Sequence, residues 1–207
     1  GDSDGIGAFL VDLTAQGVTR YAIDSGFAQT SLGTGGFALK DVKVARDAML
    51  IAPGTAFKAI LTEINGARTY VAAMCNGMLG RAIQCVTAYG RHRHSFGKPL
   101  NTIPSWQAAL AAAEDALRAS QTHTAQATDL VNTGRDAQLA AAQAKIEAVS
   151  SAQRHLPELL HLMGAEGLRP EHPFARHIAS VQRAGFTEGA TNILKVRVAN
   201  LTARKGP

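Results

Sequence analysis

FKAILTEINGARTYVAAMCNGMLGRAIQCV, residues 57–86, decides the architecture. Phe57, Ile60, Leu61, Ile64, Ala67, Val71, Cys75, Met78, Leu79, Ala82, Ile83 and Val86 recur at steps of three and four residues. That is the period of one buried face on a long α-helix. Gly66, Gly77 and Gly80 fall inside it, and each weakens a helix by about 1 kcal/mol relative to Ala. They are expected to permit close backbone contact with a neighbouring helix.

Downstream, GRHRHSFGKPLNTIPS (90–105) breaks the period, and an Ala-rich helix is expected from about Trp106 to Asn132. NTG (132–134) reads as a turn, and a third helix as running from Asp136 towards Met163. Pro157 should kink or divide that helix, because it removes a backbone donor and clashes with the preceding turn. GAEGLRPEHP (164–173) reads as a loop, and two further helices fit 174–184 and 188–204. Long helices with short connections imply an antiparallel bundle. Upstream the pattern differs. AFLVDL (8–13), VTRYAID (18–24) and GFALKDVKV (36–44) read as three strands separated by TAQG and GTGG turns. Three strands are marginal alone, so they should join a larger sheet or lean on helices. The fold class expected is mainly α: a helical bundle over 53–207 preceded by a few β-strands over 1–52.

Composition narrows the chemistry. A charge of +5 from 21 Lys+Arg against 16 Asp+Glu suits anionic partners such as phosphates. No run of basic residues occurs, and 5% aromatics leave few stacking platforms, so nucleic acid is not an expected partner. Cys75 and Cys85 lie ten positions apart. On one helix that is about 15 Å, too far for a disulfide. No apolar run is long enough for a membrane span, and the N-terminus has no signal-peptide pattern. A cytoplasmic protein, and a piece of a longer one, is the expectation.

Candidate site residues each have an ordinary reading beside the functional one. His92 and His94 flank Arg93 among further cationic groups, and His155, His161, His172 and His177 lack zinc-type spacing, so no metal site is expected. The glycines of GAEG (164–167) suit a helix C-cap more than a ligand loop. Thr187 suits an N-cap, which would put Glu188 in the first turn of the last helix, where the dipole favours a carboxylate. A partly buried Glu188 beside Phe186 and Gly185 could act as a general base, but nothing local compels that role.

Several segments, in order, resemble the acyl-CoA dehydrogenase family. AFLVDLTAQGV and GFALKDVKVARDAML resemble the end of its middle β domain. NGARTYVAAMCNGMLGRAIQCVTAYGRHRHSFGKPL is similar to its long helix ending in R-x-x-F-G-K. HLMGAEGLRPEHPFAR and FTEGATNI resemble its later glycine loop and its Y-E-G-T segment. The resemblance implies that Glu188 is the base removing the α-proton of an acyl-CoA thioester while hydride leaves the β-carbon for FAD. Ala67 stands where some subfamilies place the base instead. Arg68 and Gly189 would support the active site. Arg93, Phe96 and Gly97, reaching across a dimer interface, and His161, Gly164 and Gly167 would lie near the FAD. Departures fall on that cofactor edge. His161 replaces a Gln, Ala165 a Gly, and Ala190 a flavin-binding Thr. Ala179 and Ser180 replace an Arg-Asp pair, Pro104 a Gln, and Pro53 and Gly54 stand where glycines are usual. The segments that complete the flavin-ring site have no counterpart in these residues. The expectation is therefore a C-terminal part of an FAD-dependent enzyme, inactive alone, that binds FAD weakly or not at all by itself. Its partners would be acyl-CoA and further copies, as a dimer or tetramer, or a related subunit. The alternative is a non-catalytic bundle that serves assembly, or a degenerate-site subunit of a hetero-oligomer.

Overall fold

The computed structural model describes residues 5–23 and 34–203. The chain clusters into two units, Gly1–Ile64 and Asn65–Pro207. Asp24 and Arg204, the last residues of two expected elements, lie outside the described residues.

The first unit is built of two antiparallel ladders. Strand β1 (Ala8–Phe9) pairs with β4 (Met49–Ile51), and β2 (Val18–Ile23) pairs with β3 (Thr34–Leu39). This corrects the reading of three strands at 8–13, 18–24 and 36–44. The first shrinks to two residues, β4 was not foreseen, and Thr34–Gly36 is strand where GTGG suggested a turn. Gly36 sits directly opposite Tyr21, whose ring lies over it. A β-carbon there would come within 2.4 Å of that ring. The aromatic covers the bare glycine backbone and compensates for its poor strand propensity.

Helix α1 (Ala56–His92) starts in the first unit and continues through the second, where α2 (Pro104–Asn132), α3 (Gln138–Met163), α4 (Phe174–Ala184) and α5 (Thr191–Ala203) follow. Helix α3 packs against α2, α4 and α5, so it is the central rod. Its Ala141, Ala144, Ala148 and Ala152 are buried in one cluster with Val71, Cys75, Leu79 and Val86 of α1. Those small side chains let neighbours approach closely.

Helix α3 runs unbroken through Pro157, so the proline does not divide it. Leu156, Leu159 and Met163 flank the proline and are at most 3% exposed. Continuing the helix keeps all three in the core, and that burial outweighs a lost hydrogen bond and a clash of about 3 kcal/mol. Of the glycines expected to admit a neighbour, Gly77 meets nothing within 4 Å, and Gly66 and Gly80 make only ordinary contacts. The close approach is at Gly90, where a β-carbon would lie 2.4 Å from the Trp106 ring.

Between α1 and α2 the chain forms a small hairpin, β5 (His94–Ser95) with β6 (Lys98–Pro99). Phe96 at its tip has φ 53° and is 96% exposed. No helix among the described residues is long and apolar enough to cross a membrane.

Candidate functional site

Two places in the second unit gather the residues singled out above. The first is the turn between α4 and α5. Phe186 N–H bonds the Arg183 carbonyl at 2.9 Å, and Thr187 N–H and Oγ1–H reach the same carbonyl at 3.2 Å each. Thr187 therefore prolongs the end of α4 and does not cap α5, which begins at Thr191. Glu188 is correspondingly outside the first turn of the last helix. Thr191 closes the turn by donating its N–H (2.8 Å) and hydroxyl (3.0 Å) to the Gly185 carbonyl.

Within this loop Glu188 has φ 54° and Gly189 φ 99°. A non-glycine residue in the left-handed region costs on the order of 1 kcal/mol or more and persists where surroundings over-determine it. Those surroundings are two cations on different helices. Arg68 of α1, 5% exposed, donates from Nε to the Glu188 carbonyl at 3.1 Å and from Nη1 to Asn65 Oδ1 at 3.0 Å. Lys145 of α3, 0% exposed, donates from Nζ to the Gly189 carbonyl. Arg197 of α5 stands near enough to act on Arg68 and bonds Gln138 Oε1 at 2.8 Å.

The electrostatics follow from burial. Desolvation pushes the Lys145 ammonium down to about 8, aided by Arg68, while Cys75 and Glu188 pull it back up. Burial also lowers Arg68, with Arg197 adding to the effect and Glu188 opposing it. The Cys75 thiol is pushed up to about 12 by burial, against the pull of Lys145. Glu188, half-buried, is the carboxylate these cations feel. A carboxylate on a turn fixed from below, with its side chain left to solvent or ligand, is suited to proton abstraction.

The second place is a cavity of about 400 Å³ lined by Arg93, Ser95, His161, Gly164 and Glu166, with Tyr89, Leu100, Leu162, Met163 and Ala165. Gly164 caps α3 with φ 60°, donating its N–H to the His161 carbonyl, and a β-carbon there would meet nothing within 4 Å. Arg93 N–H bonds the Tyr89 carbonyl at 2.9 Å, and its own carbonyl accepts from Leu100 at 2.8 Å. Its guanidinium is exposed and makes no ion pair among the described residues. Glu166 is engaged by His172 at 3.2 Å and Arg169 at 3.5 Å, and the His172 hydrogen bond is the chief cause that holds its carboxyl below the usual range. With Glu166 so engaged, Arg93 is the charge this cavity offers an anion. A planar guanidinium, a bare glycine backbone and an imidazole fit one edge of a dinucleotide pyrophosphate. Phe96 and Gly97 are on the hairpin and do not line the cavity. Gly167 has a packing reason instead: a β-carbon there would lie 2.7 Å from the Leu160 side chain.

Lys145 and Asn65 were missed by sequence reasoning. The signal for Lys145 was present, because it sits at helical spacing with Ala141, Ala148 and Val149 on the buried face of α3, a position where a lysine needs a partner.

Residues 54–201 match the family described as acyl-CoA dehydrogenase, C-terminal domain. The chain is 27% identical over 195 residues to the mitochondrial short-chain specific acyl-CoA dehydrogenase of Bos taurus, covering 94% of this chain and 47% of that protein. It is 28% identical over 189 residues to the short-chain specific acyl-CoA dehydrogenase of Megasphaera elsdenii, covering 91% and 49%. The solved structure of butyryl-CoA dehydrogenase from Megasphaera elsdenii superposes with a TM-score of 0.91 at 27% identity, covering 97% of this chain and 52% of that one. The chain belongs to the acyl-CoA dehydrogenase family, and it spans about half the length of the curated relatives it matches.

Proposed function

We propose that this chain carries the base and one cofactor edge of an FAD-dependent acyl-CoA dehydrogenase. The observation that supports this best is the Glu188–Gly189 turn, whose two carbonyls are tied to buried cations on separate helices. Glu188 takes the α-proton of an acyl-CoA thioester, and the hydrogen on the β-carbon leaves with its electron pair, giving a trans-2-enoyl-CoA. Bound FAD supplies the acceptor for that pair. Arg93, His161 and Gly164 would hold the pyrophosphate side of FAD, with Phe96 and Gly97 presented by the hairpin to a neighbouring copy. Arg68 keeps the base in place, and burial of the loop under substrate would keep water from the carboxylate.

In the full-length protein, Glu188→Gln should abolish dehydrogenation and leave the fold intact. Undiminished turnover in that variant removes Glu188 from the mechanism. The 207 residues alone should be colourless and inactive. A stoichiometric flavin absorbance band in the purified chain contradicts the second expectation.

A further inference from the structure

Resting on that reading of Glu188, we propose that Lys145 is a positioning residue for the base, fixing through the Gly189 carbonyl the left-handed turn that presents Glu188. A lysine is almost never fully buried without a partner, yet Lys145 is 0% exposed in the Ala-rich core of α3. Its Nζ–H has the Gly189 carbonyl as acceptor, and no carboxylate lies within ion-pair distance among the described residues. A core that only needed filling would hold Leu or Met at this position without the cost of desolvating an ammonium.

The geometry shows what the ammonium does. Arg68 holds the 188–189 peptide by its carbonyl, and Lys145 holds the next peptide by its own. Between those two planes lies Gly189, the residue type freest to rotate. Without the Lys145 bond, the 189–190 peptide is free to flip between the Glu188 carbonyl held by Arg68 and Thr191, which stays tied to the Gly185 carbonyl. With both bonds the two planes are fixed, and the remaining freedom is that of the Glu188 side chain. The hold comes from α1 on one side and α3 on the other, so the base is referenced to two rods of the bundle. Misplacement by about 1 Å is enough to cost a reaction about 100-fold.

The test is Lys145→Met in the full-length flavoprotein, a change that keeps the volume and removes the donor. Peptide-resolved hydrogen exchange should show the segment 186–191 exchanging at least about tenfold faster, with α2 as protected as before. In the same protein kcat for acyl-CoA oxidation should fall by about 100-fold, with KM nearly unchanged and thermal stability not reduced at neutral pH. Unchanged exchange in 186–191, or a fall in kcat matched by loosening of the whole bundle, overturns the proposal. Should that variant not fold, replacing Ala190 by lactic acid gives an ester whose Gly189 carbonyl is a weaker acceptor while Lys145 stays. It should loosen the same segment, and a rigid 186–191 in that protein also overturns the proposal. Exchange requires no turnover, so wild-type activity in Glu188→Gln would remove Glu188 as the base without touching this arm.

Discussion

The Nε–H of Arg68 donates to the carbonyl oxygen of Glu188 at 3.1 Å, joining residues 120 positions apart. The same guanidinium reaches Asn65 Oδ1 at 3.0 Å, so one planar group serves two acceptors at once. An ammonium is a single point charge without that fork. Arg68→Lys should therefore keep one contact and strand the other, lowering unfolding free energy by about 1–2 kcal/mol. Urea denaturation checks this, and an unshifted midpoint at unchanged slope would show that the fork contributes nothing.

Two glycines of α1 predict opposite outcomes for one substitution. Gly90→Ala forces a β-carbon to within 2.4 Å of the Trp106 ring and should destabilise by about 1–3 kcal/mol. Gly77→Ala meets nothing within 4 Å and should stabilise by about 0.5–1 kcal/mol through helix propensity. Parallel denaturation of the two variants decides it, and the same sign for both would refute the packing described.

The buried Lys145 and Cys75 give stability a pH profile with two limbs. Lys145 falls from 10.5 to about 8 on folding, so between those values the unfolded chain binds a proton that the folded chain does not. Stability rises with pH across that window. Cys75 is raised from 9.0 to about 12, so above 9.0 the unfolded chain releases a proton that the folded chain keeps, and stability falls. From these two groups stability should climb from below pH 8 to 9, level off while the effects oppose, and decline above about 10.5. Lys145→Met should remove the rising limb, and Cys75→Ala the falling one. A wild-type profile flat from pH 7 to 9 would contradict the burial of Lys145.

Arg68 and Arg93 lie 25 positions apart along or just beyond α1, about 37 Å at helical rise. On the proposed function, the base of one copy and its own Arg93 cannot serve the same cofactor edge. Mixed oligomers of Glu188→Gln and Arg93→Ala subunits should then recover activity that neither variant shows alone. Failure of every mixing ratio to restore turnover would place both residues on one site.

Most of the bundle was legible because its cores are periodic. Helix α4 falls on the residues the pattern marked, and α2 and α3 differ from expectation by two residues at their starts. The strands were less legible. The span 8–13 is apolar and only partly alternating, and only Ala8 and Phe9 find a partner in β4, because pairing is a long-range property that no local pattern reveals. The start of α5 was misplaced because the Thr187 hydroxyl can either accept from a following backbone N–H, as an N-cap does, or donate to a preceding carbonyl. A local reading sees an N-cap, whereas the hydroxyl bonds back to Arg183. Around Glu188, the resemblance brought Arg68 into view. Lys145 stayed hidden because a lysine among alanines is usually a solvated charge, and only the packing of α3 on three other helices buries it.

Trp106 is the single tryptophan of the chain, 6% exposed, with its ring over Gly90 and its Nε1–H donating to the Leu162 carbonyl at 3.4 Å. The second unit thus contains the tryptophan, and the first contains none. Tryptophan emission reports on the packing around Gly90 and Leu162 in the helical unit. Comparing that emission with far-ultraviolet dichroism would separate the two units in one untagged sample.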